Sequence, residues 1–93
     1  MTNKYEVALV LSVAGGDESV NALKEKFNDL MTKNGTVENV DEWGKRRLAY
    51  PINDETEGYY IFTTMTSEPA LPAELERIAG ITEGVLRIMV IRK

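Results

Sequence analysis

Three consecutive cations, Lys45, Arg46 and Arg47, follow Trp43-Gly44 and run straight into the apolar tract Leu48-Ala49-Tyr50-Pro51-Ile52. Arginine carries a planar, permanently charged fork that matches phosphate or carboxylate oxygens two at a time. The chemistry on offer is therefore anion recognition. Further cations stand near the two termini: Lys4 beside Tyr5 at the start, and Arg87, Arg92 and Lys93 at the finish. In an antiparallel pairing of the first and last strands, the start of one lies near the end of the other, which would bring Lys4, Arg92 and Lys93 together. On charge alone, ordinary solvated side chains remain the simpler reading of these groups.

Bond-making chemistry finds little to work with. The chain has no histidine and no cysteine, so the commonest general base, the thiolate nucleophile and the disulfide are all excluded. Asp41-Glu42 and Asp54-Glu55 are paired carboxylates in polar stretches and read as solvated charge. Gly15-Gly16 precedes a helix pattern, but Asp17 and Glu18 follow at once and would repel an anion from that turn. Carboxylates alone show no calcium-loop spacing. No enzyme activity, metal, cofactor or small-molecule substrate is expected.

The elements that must position the cations read clearly. Tyr5 to Val13 is a β-rich run, apolar on both parities, as in a central strand. Asp17 to Lys33 places Val20, Leu23, Phe27, Leu30 and Met31 on one helical stripe, with acids at the start and Lys33 at the end. Thr36 to Ile52 is a long extended segment. Val37 and Val40 differ in parity, which predicts a bulge between them or near Gly44. Asn53 to Gly58 is a polar turn, and Tyr59 to Thr66 returns as a strand. A second helix spans Leu71 to Ala79 with Pro72 in its first turn, ended by Gly80 or Gly84, and Val85 to Ile91 is the last strand.

This β-α-β-β-α-β order is the split βαβ, or ferredoxin-like, arrangement: an α+β fold with a four-stranded antiparallel sheet and two helices on one face. The 93 residues suit a single such domain over 1–93. Strand parity assigns Val7, Leu9, Leu11, Leu48, Tyr60, Phe62, Ile88 and Val90 to the helix side. Ala8, Val10, Arg47, Ala49, Tyr59, Ile61, Thr63, Arg87, Met89 and Ile91 then fall on the open side. Such a face is apolar in its middle and suits a protein partner, with Trp43, Ala49, Tyr59, Ile61, Met89 and Ile91 as the candidate partner residues. Aromatic base-stacking of the kind seen in the RNA-recognition module is not expected, because Ile61 and Thr63 follow Tyr59.

With 11 basic and 15 acidic residues the net charge is −4, so any phosphate contact must come from a local patch. The opening MTNKYEVALVLS has no basic region or cleavage site of a signal peptide, and its apolar run is far short of a bilayer span. A cytoplasmic location with no membrane contact is the expectation.

WGKRRLAYPI, followed shortly by EGYYIF, resembles the bacterial small-subunit ribosomal protein S-six family. The opening YEVALVL and the ending VLRIMVIRK are similar too, so the likeness spans nearly the whole chain. It implies a structural constituent of the small ribosomal subunit that binds the central domain of 16S rRNA together with ribosomal protein S-eighteen. Arg46, Arg47, Leu48, Ala49, Tyr50 and Pro51 match the family motif, and Tyr5, Gly58, Tyr59, Arg87 and Arg92 fall at similar positions. The implied RNA contacts are Lys4, Tyr5, Lys45, Arg46, Arg47, Arg87, Arg92 and Lys93. Leu48 and Tyr50 are expected in the core. The chain departs from many relatives in its less basic start, MTNK, and in its acidic turn, NDETEG. The competing expectation is a small-molecule-sensing ferredoxin-like module that homodimerises through its open sheet face.

Overall fold

The computed structural model describes residues 2–52 and 54–93; Met1, and Asn53 of the expected polar turn, lie outside the described residues. Six elements follow in the expected order: β1 (Asn3–Ser12), α1 (Gly16–Asn34), β2 (Gly35–Ile52), β3 (Glu55–Ser67), α2 (Ala70–Ile81) and β4 (Val85–Arg92). The strands form one sheet in the order β2-β3-β1-β4, and every neighbouring pair is antiparallel.

The helices form for the reasons their stripes suggest. In α1, Val20, Phe27 and Met31 are buried, Asp17 and Glu18 occupy the first turn and Lys33 the last, so both ends complement the helix dipole. In α2, Leu71, Leu75 and Ala79 are the buried stripe. Gly80 lies inside α2 and does not end it. Termination falls at Thr82, whose backbone N–H donates to the Ala79 carbonyl. Gly84, at φ +98°, then makes the turn into β4, a conformation that side chains with a Cβ resist.

The core lies between the helices and one sheet face. Tyr5, Val7, Leu9 and Leu11 of β1 meet Phe27, Met31, Leu71 and Leu75 there. Tyr5 is only 7% exposed, so it is a core residue and not the surface RNA contact expected. Directly opposed residues in an antiparallel pair share a face, and the register of β3 reverses part of the expected sorting. Leu9 opposes Ile61, Val7 opposes Thr63 and Leu11 opposes Tyr59. Tyr59, Ile61 and Thr63 therefore face the helices, while Tyr60 and Phe62 face the open side. On β4 the expectation stands: Ile88 and Val90 oppose Leu9 and Val7, and Arg87, Met89 and Ile91 oppose Val10, Ala8 and Glu6.

Strand β2 is irregular at three places, with register shifts between Val37 and Asn39, between Glu42 and Gly44, and between Arg47 and Ile52. The first restores Val40 to the side of Val37: they oppose Thr63 and Met65, both on the helix side. The second inserts Trp43 as an extra residue and places Gly44 at φ +78°.

Candidate nucleic-acid interface

Lys45, Arg46 and Arg47 sit where β2 leaves the regular sheet, opposite Tyr59, Gly58 and Glu57. All three cations are exposed. The register puts Arg46 on the open side and Arg47 with Lys45 on the other, the reverse of the expected side for Arg47. No ion pair holds any of the three among the described residues, although Glu57 stands across from Arg47. Their charge is free for an external anion.

The apolar half of the motif explains how the cations are held. Leu48 is 8% exposed, but it is not in the helix-side core. A Cβ built on Gly58 would fall 2.5 Å from Val10 Cγ1 and 3.3 Å from Leu48 Cδ2. Leu48 thus folds over the open side against Val10, and the missing side chain at 58 makes the room. Tyr50, expected in the core, is 59% exposed; its hydroxyl receives a long hydrogen bond of 3.4 Å from Arg87 Nη1. Ser12 Oγ donates to Glu55 Oε1 at 2.6 Å, tying the start of β3 to the end of β1. The curled hairpin brings Arg87 of β4 toward the β2 tract.

The terminal cations gather at the opposite end of the sheet. Arg92 opposes Tyr5, and the Lys93 backbone N–H donates to the Lys4 carbonyl at 2.9 Å. Their charges are partly answered. Lys4 Nζ lies 3.1 Å from Glu38 Oε1 and Lys93 Nζ 3.2 Å from Glu6 Oε2. Arg92 Nη2 donates to Asn3 Oδ1 at 3.1 Å. Glu38 also accepts from the Thr66 hydroxyl; that bond first, and Lys4 second, hold its carboxyl below the usual range. With the register running from Lys4 to Ser12, the two cation groups stand about 25 Å apart at ~3.3 Å per residue.

Between them the open face carries an aromatic strip. Trp43 is 50% exposed and its ring lies 4.6 Å from that of Phe62, with Tyr60 a further 6.5 Å from Phe62. Trp43 Nε1 donates to Asp41 Oδ2 at 2.9 Å. Met89 and Ile91 are 40% and 48% exposed, and Ala49 is exposed. Of the candidate partner residues, Trp43, Ala49, Met89 and Ile91 are therefore reachable, Ile61 is core at 5% exposure, and Tyr59 faces α1. Phe62 and Tyr60 were missed. One signal for them existed: among 59–66 the odd positions end on apolar Met65 and the even ones on Thr64 and Thr66, which marks the odd set as the core side.

On the helix side Tyr59 OH donates to Glu42 Oε1 at 2.8 Å, and Lys24 Nζ reaches the same oxygen at 2.7 Å. The ammonium also lies 5.3 Å from the Tyr59 ring centre. The hydrogen bond from Lys24, then that from Tyr59, lowers the Glu42 pKa; the bonds to Glu42 raise those of Lys24 and Tyr59. No metal-binding cluster occurs among the described residues, and no helix there is long and apolar enough to cross a membrane.

The chain is similar to known proteins along nearly its whole length. The family model described as Ribosomal protein S6 matches residues 4–92. Small ribosomal subunit protein bS6 of Clostridium novyi is 49% identical over 88 residues, covering 94% of this chain and 93% of the relative. The same protein of Caldanaerobacter subterraneus is 46% identical over 89 residues, covering 95% and 94%. The crystal structure of 30S ribosomal protein S6 from Thermotoga maritima superposes with a TM-score of 0.92, at 22% identity over all of this chain and 89% of that one, which bears on the ferredoxin-like fold alone. Family match and near-full-length identity together show that the chain belongs to the ribosomal protein S6 family.

Proposed function

We propose that this protein, acting as one domain over 1–93, is a constituent of the small ribosomal subunit that binds the central domain of 16S rRNA together with ribosomal protein S-eighteen. It is a structural RNA-binding protein of translation and not an enzyme, working in the cytoplasmic ribosome. The observation that carries the RNA assignment is the set of exposed cations Lys45, Arg46 and Arg47 at one end of the sheet, without an ion-pair partner among the described residues, with Arg87 nearby. Phosphate contacts fix a protein's position on RNA through such groups. Lys4, Arg92 and Lys93 form a weaker second contact, since carboxylates or an amide already engage them. The strip of Trp43, Phe62, Met89 and Ile91 supports the protein partner: a patch of aromatic and methionine side chains resembles an interface centre. The test is assembly on a 16S central-domain fragment with and without S-eighteen, read by gradient sedimentation. Arg46→Ala with Arg47→Ala should lose at least tenfold in RNA affinity while keeping the melting temperature. Normal assembly by that variant would overturn the assignment of this tract.

A further inference from the structure

Between α1 and the β2–β3 edge lies an open-mouthed cavity of about 320 Å³. It is on the helix side, and none of the candidate RNA-contact cations or of the aromatic residues Trp43, Tyr60 and Phe62 lines it. Leu9, Phe27, Met31 and Ile61 form its apolar floor, and Val40 adds apolar surface. Thr63 also lines it, and this residue is 3% exposed. The threonine hydroxyl makes no hydrogen bond among the described residues and is not sealed from solvent, and the cavity is the opening that its residue lines. A hydroxyl at the wall of an apolar cleft can exchange its water for the polar atom of a molecule seated there.

Polarity around the mouth narrows the occupant. Glu25 and Glu42 both line the cavity with Lys24, but the Lys24 ammonium is already held by Glu42 at 2.7 Å. The carboxylates disfavour an anion, and the apolar floor disfavours a strongly hydrated ion of either sign. The volume lies at the lower end of the range for small-molecule sites. We propose that this cleft is a binding site for a small uncharged molecule with a single ring and one hydroxyl, the ring against Phe27, Met31 and Ile61 and the hydroxyl on Thr63 Oγ1.

Phenol is the probe, titrated into the protein while backbone amide resonances are followed. A ligand of this size binds with a constant on the order of a millimolar. Saturable shifts should centre on Leu9, Phe27, Ile61 and Thr63, and benzoate, of the same shape but charged, should bind at least tenfold more weakly. Thr63→Val keeps the shape and removes the hydroxyl. It should lower phenol affinity about fivefold, the worth of one net hydrogen bond, and leave toluene affinity unchanged. Shifts that never saturate or that map elsewhere would overturn the site. Equal binding of benzoate and phenol, or a Thr63→Val protein that binds phenol as well as the parent, would overturn the assigned chemistry. The amide spectrum of the variant shows directly that it is folded.

Discussion

A methyl group at position 58 would fall 2.5 Å from Val10 Cγ1, closer than Cβ atoms come to other atoms in folded proteins. Gly58→Ala must therefore displace Val10 or lift Leu48 from its seat. The expected cost is about 1–3 kcal/mol, seen as a lower urea midpoint with an unchanged slope; an unchanged midpoint would show that the hairpin does not rest on this contact. Glu42 makes a different single-residue prediction. Its pKa is lowered by Lys24 and Tyr59, so it contributes stability above the ordinary carboxylate range, lost as pH falls through its folded value. Lys24 and Tyr59 are raised, so their contribution is present below about pH 10, their ordinary range, and is lost as pH rises through their folded values. Glu42→Gln should flatten both limbs of the stability–pH curve. The effect will be modest, because the Lys24 and Glu42 side chains are 25% and 43% exposed and water screens such pairs. A curve matching the parent in acid and alkali would count against the triad.

At the scale of elements, β2 shows what a sequence can and cannot tell. The parity conflict between Val37 and Val40 predicted a bulge, and two exist in that stretch, one on each side of Val40. Element order was equally legible, because the stripe of α1 and the turn residues are local signals. Strand β3 was not: Tyr59-Tyr60-Ile61-Phe62 is apolar on both parities, so its face depends on pairing with β1, which is set by distant contacts. The error carried Tyr59 and Ile61 into the candidate partner set and left out Phe62. Leu48 was placed inside on its own strand's parity, whereas the irregularity after Arg47 turns it over the open face. Trp43 tests this account. As an inserted residue, half exposed on Phe62, it should be nearly dispensable for folding. Trp43→Ala should cost about 0.5–1.5 kcal/mol of stability, the worth of an aromatic pair. The same change should weaken capture of S-eighteen at least tenfold, as truncating a central interface aromatic does. Large destabilisation with unimpaired capture would put the partner elsewhere.

For the whole molecule the decisive fact is where charge is left unanswered. Net charge is −4, so long-range attraction to RNA is absent and orientation depends on local imbalance. Two cation groups compete for that role from opposite ends of the sheet. At one end, Lys4 and Lys93 are 3.1 and 3.2 Å from Glu38 and Glu6; an approaching phosphate must displace or share those carboxylates. At the other, Lys45, Arg46 and Arg47 face solvent without an ion-pair partner among the described residues. Counterion release separates the ends by measurement. Each lost phosphate contact reduces the salt slope of log affinity by roughly 0.7–0.9. Lys45→Ala with Arg46→Ala should therefore shrink the slope by about 1.5, whereas Lys4→Ala with Lys93→Ala should change it by less than about 0.5. If the terminal pair produced the larger change, the RNA would lie against β1 and β4, and the carboxylates there would be partners released on binding.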